Sequence, residues 1–180
     1  MNSYPLIPAR FFTKGRIKPI QLIVIHSAEC PKKEGAARGV ANYFATTDRQ
    51  ASAHFTVDDK EVIQSVRVED TAWAAKNANA NGVNVEHAGY AAQTEAEWLD
   101  EYGQAMLELS AKLAAELCKK FDIEPVRAEF LSGVSPTVIK PGFCGHRDVP
   151  LHGSHSDPGP GFPFDYYLGR VAFYLDNPDS

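Results

Sequence analysis

A chain of 180 residues, 44% hydrophobic and 23% charged, has the size and composition of one globular domain with a substantial core. Its formal charge of −5 argues against a bulk electrostatic grip on nucleic acid, which needs a surplus of Lys and Arg to neutralise phosphates. The longest apolar run, Ile20 to Ile25 with Gln21 inside it, is far shorter than the ~20 residues a membrane-spanning helix needs, so no membrane insertion is expected.

Residues 1–19, rich in Pro and basic side chains, read as an irregular N-terminal arm, with a single domain over 20–180. Met1-Asn2-Ser3-Tyr4-Pro5 has no basic region leading into an apolar one, so synthesis in the cytoplasm without a Sec signal is expected. Cys30, Cys118 and Cys144 lack CxxC spacing and suit a reducing compartment better than a disulfide framework.

The β-branched run 20–25 predicts a buried central strand ending at His26. A helix is expected over about 35–45, with Val40, Tyr43 and Phe44 on one face. Residues 52–57 and 61–66 read as strands joined by the turn Asp58-Asp59-Lys60, and 83–86 as a further strand. Thr94-x-x-Glu97 is a capping-box pattern. From there Trp98, Tyr102, Met106, Leu109, Leu113 and Leu117 recur at spacings of three and four, which predicts one helix to about Phe121. The Gly- and Pro-rich stretch 124–163 is expected to be mostly loop, and 164–175 a closing helix. Strands alternating with helices imply an α/β fold, a central mixed β-sheet flanked by helices. Long ordered loops carry function more often than mere connection, which turns attention to 124–163.

His26 stands where a buried strand meets polar chain. His146, in Cys144-Gly145-His146-Arg147-Asp148, and Asp157, before Pro158-Gly159-Pro160, lie in the loop-rich stretch. Two imidazoles and a carboxylate form a normal catalytic zinc set with a position left for water. Taken singly, each has an ordinary alternative: a strand-end histidine is commonly structural, and Asp before Pro-Gly-Pro is commonly turn chemistry.

Four motifs, Val24-Ile25-His26-Ser27-Ala28-Glu29, Ser52-Ala53-His54-Phe55, Gly145-His146-Arg147-Asp148 and Asp157-Pro158-Gly159-Pro160, occur here in the order found in type 2 N-acetylmuramoyl-L-alanine amidases. The chain resembles that family, which includes phage endolysins, cell-wall recycling amidases and peptidoglycan recognition proteins, over roughly His26 to Leu168. The resemblance implies an amidase-type domain, a Zn2+ ion held by His26, His146 and Asp157, and peptidoglycan or muropeptides as substrate. It further implies Glu86 as general acid/base and His155, where many relatives carry lysine, as a donor to the oxyanion.

Departures from the family pattern narrow the reading. Ala53 stands where one phage subgroup has a catalytic tyrosine, which leaves Glu86 as the base and His54 as a supporting residue behind the site. Trp73-Ala74 replaces a common Trp-His pair. Trp73, Asn77 and Asn79 are candidates for the substrate groove, through ring stacking on sugars and amide pairing with peptide groups. Cys144 reads as a buried small residue. The arm Ala9 to Arg16 and its spacing to His26 resemble phage-type lysins, and a monomer is expected. The alternatives are a cytoplasmic recycling amidase, a non-catalytic recognition protein, and a structural zinc domain whose fourth ligand would come from Cys144 or His152.

Overall fold

The computed structural model describes residues 3–131, 136–151 and 153–180. In chain order the elements are β1 (Phe12–Thr13), β2 (Leu22–Ser27), α1 (Ala36–Thr46), β3 (Phe55–Val57), β4 (Val62–Gln64), β5 (Thr71–Ala72), β6 (Gly82–His87), α2 (Glu95–Trp98), α3 (Glu101–Phe121), β7 (Glu129–Phe130), β8 (Val138–Lys140), β9 (Gly142–Gly145) and α4 (Phe164–Asp176). Five strands form the central sheet in the order β4-β3-β6-β2-β9. β3, β6, β2 and β9 run parallel, and β4 pairs antiparallel with β3 at one edge. The expected mixed sheet between helices is what the chain builds.

Side chains alternate across a strand, so each strand serves two faces. On one face Ile23, Ile25, Val83, Val85 and Phe143 pack against Met106, Leu113 and Leu117 of α3 and Tyr167 and Val171 of α4. Each such side chain contributes about 1.5–3 kcal/mol by leaving water. On the other face Leu22, Val24 and Cys144 meet Ala75, Ala78 and Val149 in a smaller apolar cluster. A central parallel strand is covered on both sides, which is why 22–27 is buried throughout and its first four residues are all apolar.

Two expectations change. The single helix over 94–121 is two helices. Thr94 and Glu97 do form the capping box of α2, but Asp100 then starts α3 by accepting the Gly103 amide at 2.8 Å. A Cβ on Gly103 would lie 1.9 Å from the Trp98 carbonyl, so this tight restart needs glycine there. The apolar stripe survives the break: Trp98, Met106, Leu113 and Leu117 are fully buried, and Tyr102 and Leu109 pack partly buried beside them.

The second change lies in 124–163, where β9 is a full member of the central sheet and pairs with β2 from Leu22↔Gly142 to Ile25↔Gly145. Its glycines read as punctuation in the sequence, yet close approach demands them. A Cβ on Gly142 would sit 2.4 Å from the Val126 carbonyl, and one on Gly145 2.6 Å from Pro158 Cδ.

The segment from Ile7 to Arg16 is stitched to the rest of the chain. Phe12 and Thr13 pair with Ala72 and Thr71, and Ile7 N donates to the Gln64 carbonyl at 2.9 Å. The Arg16 guanidinium donates to the carbonyls of Val68 at 2.6 Å and Gly82 at 3.1 Å. Among the described residues no helix is long and apolar enough to cross a membrane.

Candidate active site

The parallel register assembles the site. His26 is opposite Glu86 on the neighbouring strand, and β9 ends at Gly145, one residue before His146. Both imidazoles therefore reach the carboxyl end of the sheet, where open α/β sheets place ligands. Asp157 reaches them because the loop folds onto the end of β9. The Arg147 amide donates to the Asp157 carbonyl at 2.9 Å, and Asp148 Oδ2 accepts the Gly145 amide at 2.7 Å while pairing with Arg127. Gly145 permits the close packing of Pro158 noted above.

Ligand atoms of His26, His146 and Asp157 lie within 4.8 Å of one another. His26 Nδ1 is 2.8 Å from Asp157 Oδ2, and His146 Nδ1 is 3.3 Å from Asp157 Oδ1. The carboxylate is held well below its usual range: burial alone would raise it, but hydrogen bonds from both rings and their charges prevail. His26 is raised to about 9, because Glu86, Asp157 and Asn84 together outweigh a large opposing burial effect. Burial lowers His146. This donor set, two imidazoles converging on one carboxylate, fits a divalent cation such as zinc.

Glu86 stands beside the cluster. Its Oε2 is buried with no hydrogen-bond partner among the described residues, and burial, aided by the charges of Asp157 and Glu29 and opposed by His26, pushes its carboxyl up to about 7. His155 is 57% exposed, stacks on the His146 ring at 3.9 Å between centroids, and has Nδ1 3.7 Å from Asp157 Oδ1.

A cavity of about 400 Å³ over these groups is lined by His26, Glu86, His146, His155, Asp157 and Trp73, among others. A second, of about 650 Å³, continues along α1 past Cys30, Val40 and Tyr43. The two share Ser27, Glu29, Phe44 and Glu86, so the groove extends to both sides of the acidic centre.

Of the three groove candidates, Trp73 lines the cavity, stacks on Phe11, and donates its Nε1 proton to Thr13 Oγ1 at 2.9 Å. Asn77 is engaged with the carbonyls of Pro150 and Leu151. Asn79 Oδ1 accepts the amides of Ala74 and Ala75. Both amides shape the loops that frame the groove. Cys144 is buried in the apolar cluster, where burial pushes its thiol up; His152 lies outside the described residues.

His54 reaches the site through Asn84, whose amide donates to His54 Nδ1 at 3.0 Å. Its Nε2 lies 3.2 Å from the Asp70 carbonyl. Burial and the Arg16 charge, 2.7 Å from the same nitrogen, lower it to about 3. Asn84 and Arg16 have no motif of their own, and their roles become visible only in space.

Acid should loosen this arrangement in a defined window. His54 at about 3 and His87 at about 4, both lowered first by burial, bind protons less readily than in the unfolded chain. Their stabilising contribution is complete above about 6.5 and is lost as pH falls below it. Glu86, raised to about 7, acts in the opposite direction down to about 4.5. His146, also lowered by burial, adds to these two histidines, so the groups that resist protonation outnumber Glu86 and stability falls with pH over that range. The melting temperature of metal-free protein should therefore fall steadily from neutral pH toward pH ~4.5; a flat profile would contradict the buried neutral state of the two histidines.

Residues 16–160 match the family described as N-acetylmuramoyl-L-alanine amidase. The N-acetylmuramoyl-L-alanine amidase A of Achromobacter lyticus is 29% identical over 150 residues, covering 81% of this chain and 82% of that protein. The fold is similar to that of the Staphylococcus aureus hydrolase AmiA, with TM-score 0.69, 17% identity, and coverage of 98% of this chain and 86% of that one. It is also similar to AmpD, with TM-score 0.66, 16% identity and coverage of 95% and 96%. For a single-site mutant of PlyL the corresponding values are 0.64, 15%, 95% and 99%. The matched segment takes in every residue of the site from His26 to Asp157, and the chain belongs to the N-acetylmuramoyl-L-alanine amidase family.

Proposed function

We propose that this chain is a zinc-dependent hydrolase of the amide joining N-acetylmuramic acid to L-alanine in peptidoglycan, acting as a phage-type endolysin. The observation that carries the reading is the convergence of His26, His146 and Asp157 in a long groove beside Glu86, whose Oε2 is buried without a hydrogen-bond partner among the described residues. A zinc ion held by those three side chains would polarise the scissile carbonyl and bring a water's pKa to around 7.

The chain's own groups then divide the work. Glu86 takes the proton of the attacking water and delivers it to the leaving amine of L-alanine, a task suited to a carboxyl held near neutrality. His155, resting on His146 at the cavity wall, donates a hydrogen bond to the oxyanion of the tetrahedral intermediate. Trp73 offers a ring face for a sugar of the glycan strand. A groove open on both sides of Glu86 suits a substrate that extends from the cut bond as glycan one way and peptide the other. The protein acts as a monomer, needs neither nucleic acid nor membrane, and is made in the cytoplasm before reaching the wall.

His155→Ala should lower kcat by about 10²–10³-fold with zinc content unchanged, the usual effect of removing one oxyanion donor. An unchanged kcat would return His155 to the role of a surface residue.

Product analysis on purified peptidoglycan tests the whole reading. New L-alanine amino termini without new reducing sugar ends, abolished by chelation and restored by zinc, are expected. Binding to the wall with no new termini would favour the recognition-protein alternative. Cleavage of soluble muropeptides but not of intact wall would favour the recycling amidase.

A further inference from the structure

Asn84 is a polar residue in the middle of a buried parallel strand, fully enclosed between Val83 and Val85. Its side chain projects to the same face as Glu86, two residues on, and lies in the sheet row beside Val24. Packing alone does not account for an amide here. Its Nδ2 is buried without a hydrogen-bond partner among the described residues, and an unpaired buried donor destabilises a fold. Its Oδ1 lies 3.0 Å from His26 Nε2.

The other nitrogen of that ring, Nδ1, faces Asp157 at 2.8 Å and is the atom turned toward the candidate metal centre. An imidazole ligates through Nδ1 only when that nitrogen carries no proton, and the ring proton is then on Nε2. We infer that Asn84 is a positioning residue for the metal centre: its Oδ1 accepts the Nε2 proton of His26 and so fixes the tautomer and ring rotation that leave Nδ1 free to ligate. With the amide turned the other way, Nδ2 would donate to Nε2 and drive the proton onto the ligating nitrogen.

The backbone holds Asn84 for this task. Its amide donates to His54 Nδ1 and its carbonyl accepts the His54 amide, both at 3.0 Å. Arg16, lying against His54 and bound to the Gly82 carbonyl, closes the support from behind. A chain of contacts therefore runs from Arg16 through His54 and Asn84 to the candidate ligand His26. The inference rests on the reading of His26, His146 and Asp157 as zinc ligands.

Two variants separate positioning from packing. Asn84→Leu fills similar space without an acceptor, and Asn84→Asp keeps an oxygen. Zinc affinity, measured by competition with a chromophoric chelator, should weaken about 10–100-fold in Asn84→Leu and return to near the wild-type value in Asn84→Asp. The melting temperature of metal-free Asn84→Leu should equal or exceed that of the wild type, since the unpaired donor is gone. Zinc affinity unchanged in Asn84→Leu overturns the inference, as does a lowered melting temperature with normal affinity, the pattern of a structural amide. If Asn84→Leu does not fold, nitrogen-15 spectra of the histidine rings in zinc-loaded wild type decide the matter. A proton on His26 Nε2 with Nδ1 metallated is expected, and the reverse assignment overturns it. A wild type that binds no zinc sinks the metal reading itself, a failure distinct from equal binding by wild type and variant.

Discussion

Asp157→Ala is expected to strip zinc from the protein on dialysis and to reduce amide hydrolysis to background, while Asp157→Cys regains the metal. Asp157 faces both imidazoles, at 2.8 Å from His26 and 3.3 Å from His146. It is held below the usual carboxylate range by their hydrogen bonds and charges against the effect of burial, so it is ionised throughout the working pH range. Alanine leaves two imidazoles with no anionic ligand among the clustered groups. A thiolate supplies the missing charge and is an accepted zinc donor. Metal uptake should also follow pH in a fixed direction. His26, raised to about 9, carries a proton at neutrality that a cation must displace, so zinc affinity falls as pH falls. Calorimetry in buffers of different ionisation enthalpy would detect the released proton. Full zinc occupancy and turnover in Asp157→Ala would remove Asp157 from the ligand set.

Much of this architecture is legible in the chain, for physical reasons that differ from element to element. The run Leu22 to Ile25 reads as a central strand because burial on both faces favours apolar side chains at successive positions. The capping box at Thr94 and Glu97 reads correctly because its hydrogen bonds are local. The restart of the helix at Asp100 does not, since the constraint on Gly103 comes from the Trp98 carbonyl in three dimensions. The strand at Gly142–Gly145 is hidden for a related reason: its glycines answer to Val126 and Pro158, distant in sequence or on the facing loop.

The candidate site divides along the same line. His26, His146 and Asp157 stand out through motifs in order, but only the β2–β9 pairing and the folded loop bring them together. Asn84 carries no sequence signal at all. A lone Asn in a strand reads as an irregularity, and the meaning of this one depends on which ring atom it meets. The two asparagines that look suited to substrate, Asn77 and Asn79, are engaged with backbone carbonyls and amides of the loops.

Glu86→Gln is expected to lower kcat by about 10²–10⁴-fold, the range for a lost general acid/base, with zinc content and KM little changed. Glutamine keeps the shape and can still accept or donate a hydrogen bond, but it cannot carry a proton from water to the leaving amine. The same substitution has a stability signature that a bystander residue would lack. Burial raises the Glu86 carboxyl to about 7, so the folded protein carries a destabilising charge above that pH and sheds it as pH falls toward the ordinary carboxyl range. Metal-free Glu86→Gln should therefore melt above the wild type on the alkaline side of neutrality, and the gap should narrow as the pH is lowered. Slow turnover combined with that narrowing gap would assign Glu86 both the burial and the proton traffic. A kcat within about tenfold of wild type, well short of a general base's usual contribution, would move the proton transfer elsewhere in the cavity. His155, stacked on His146 at the same wall, would be the next group to test.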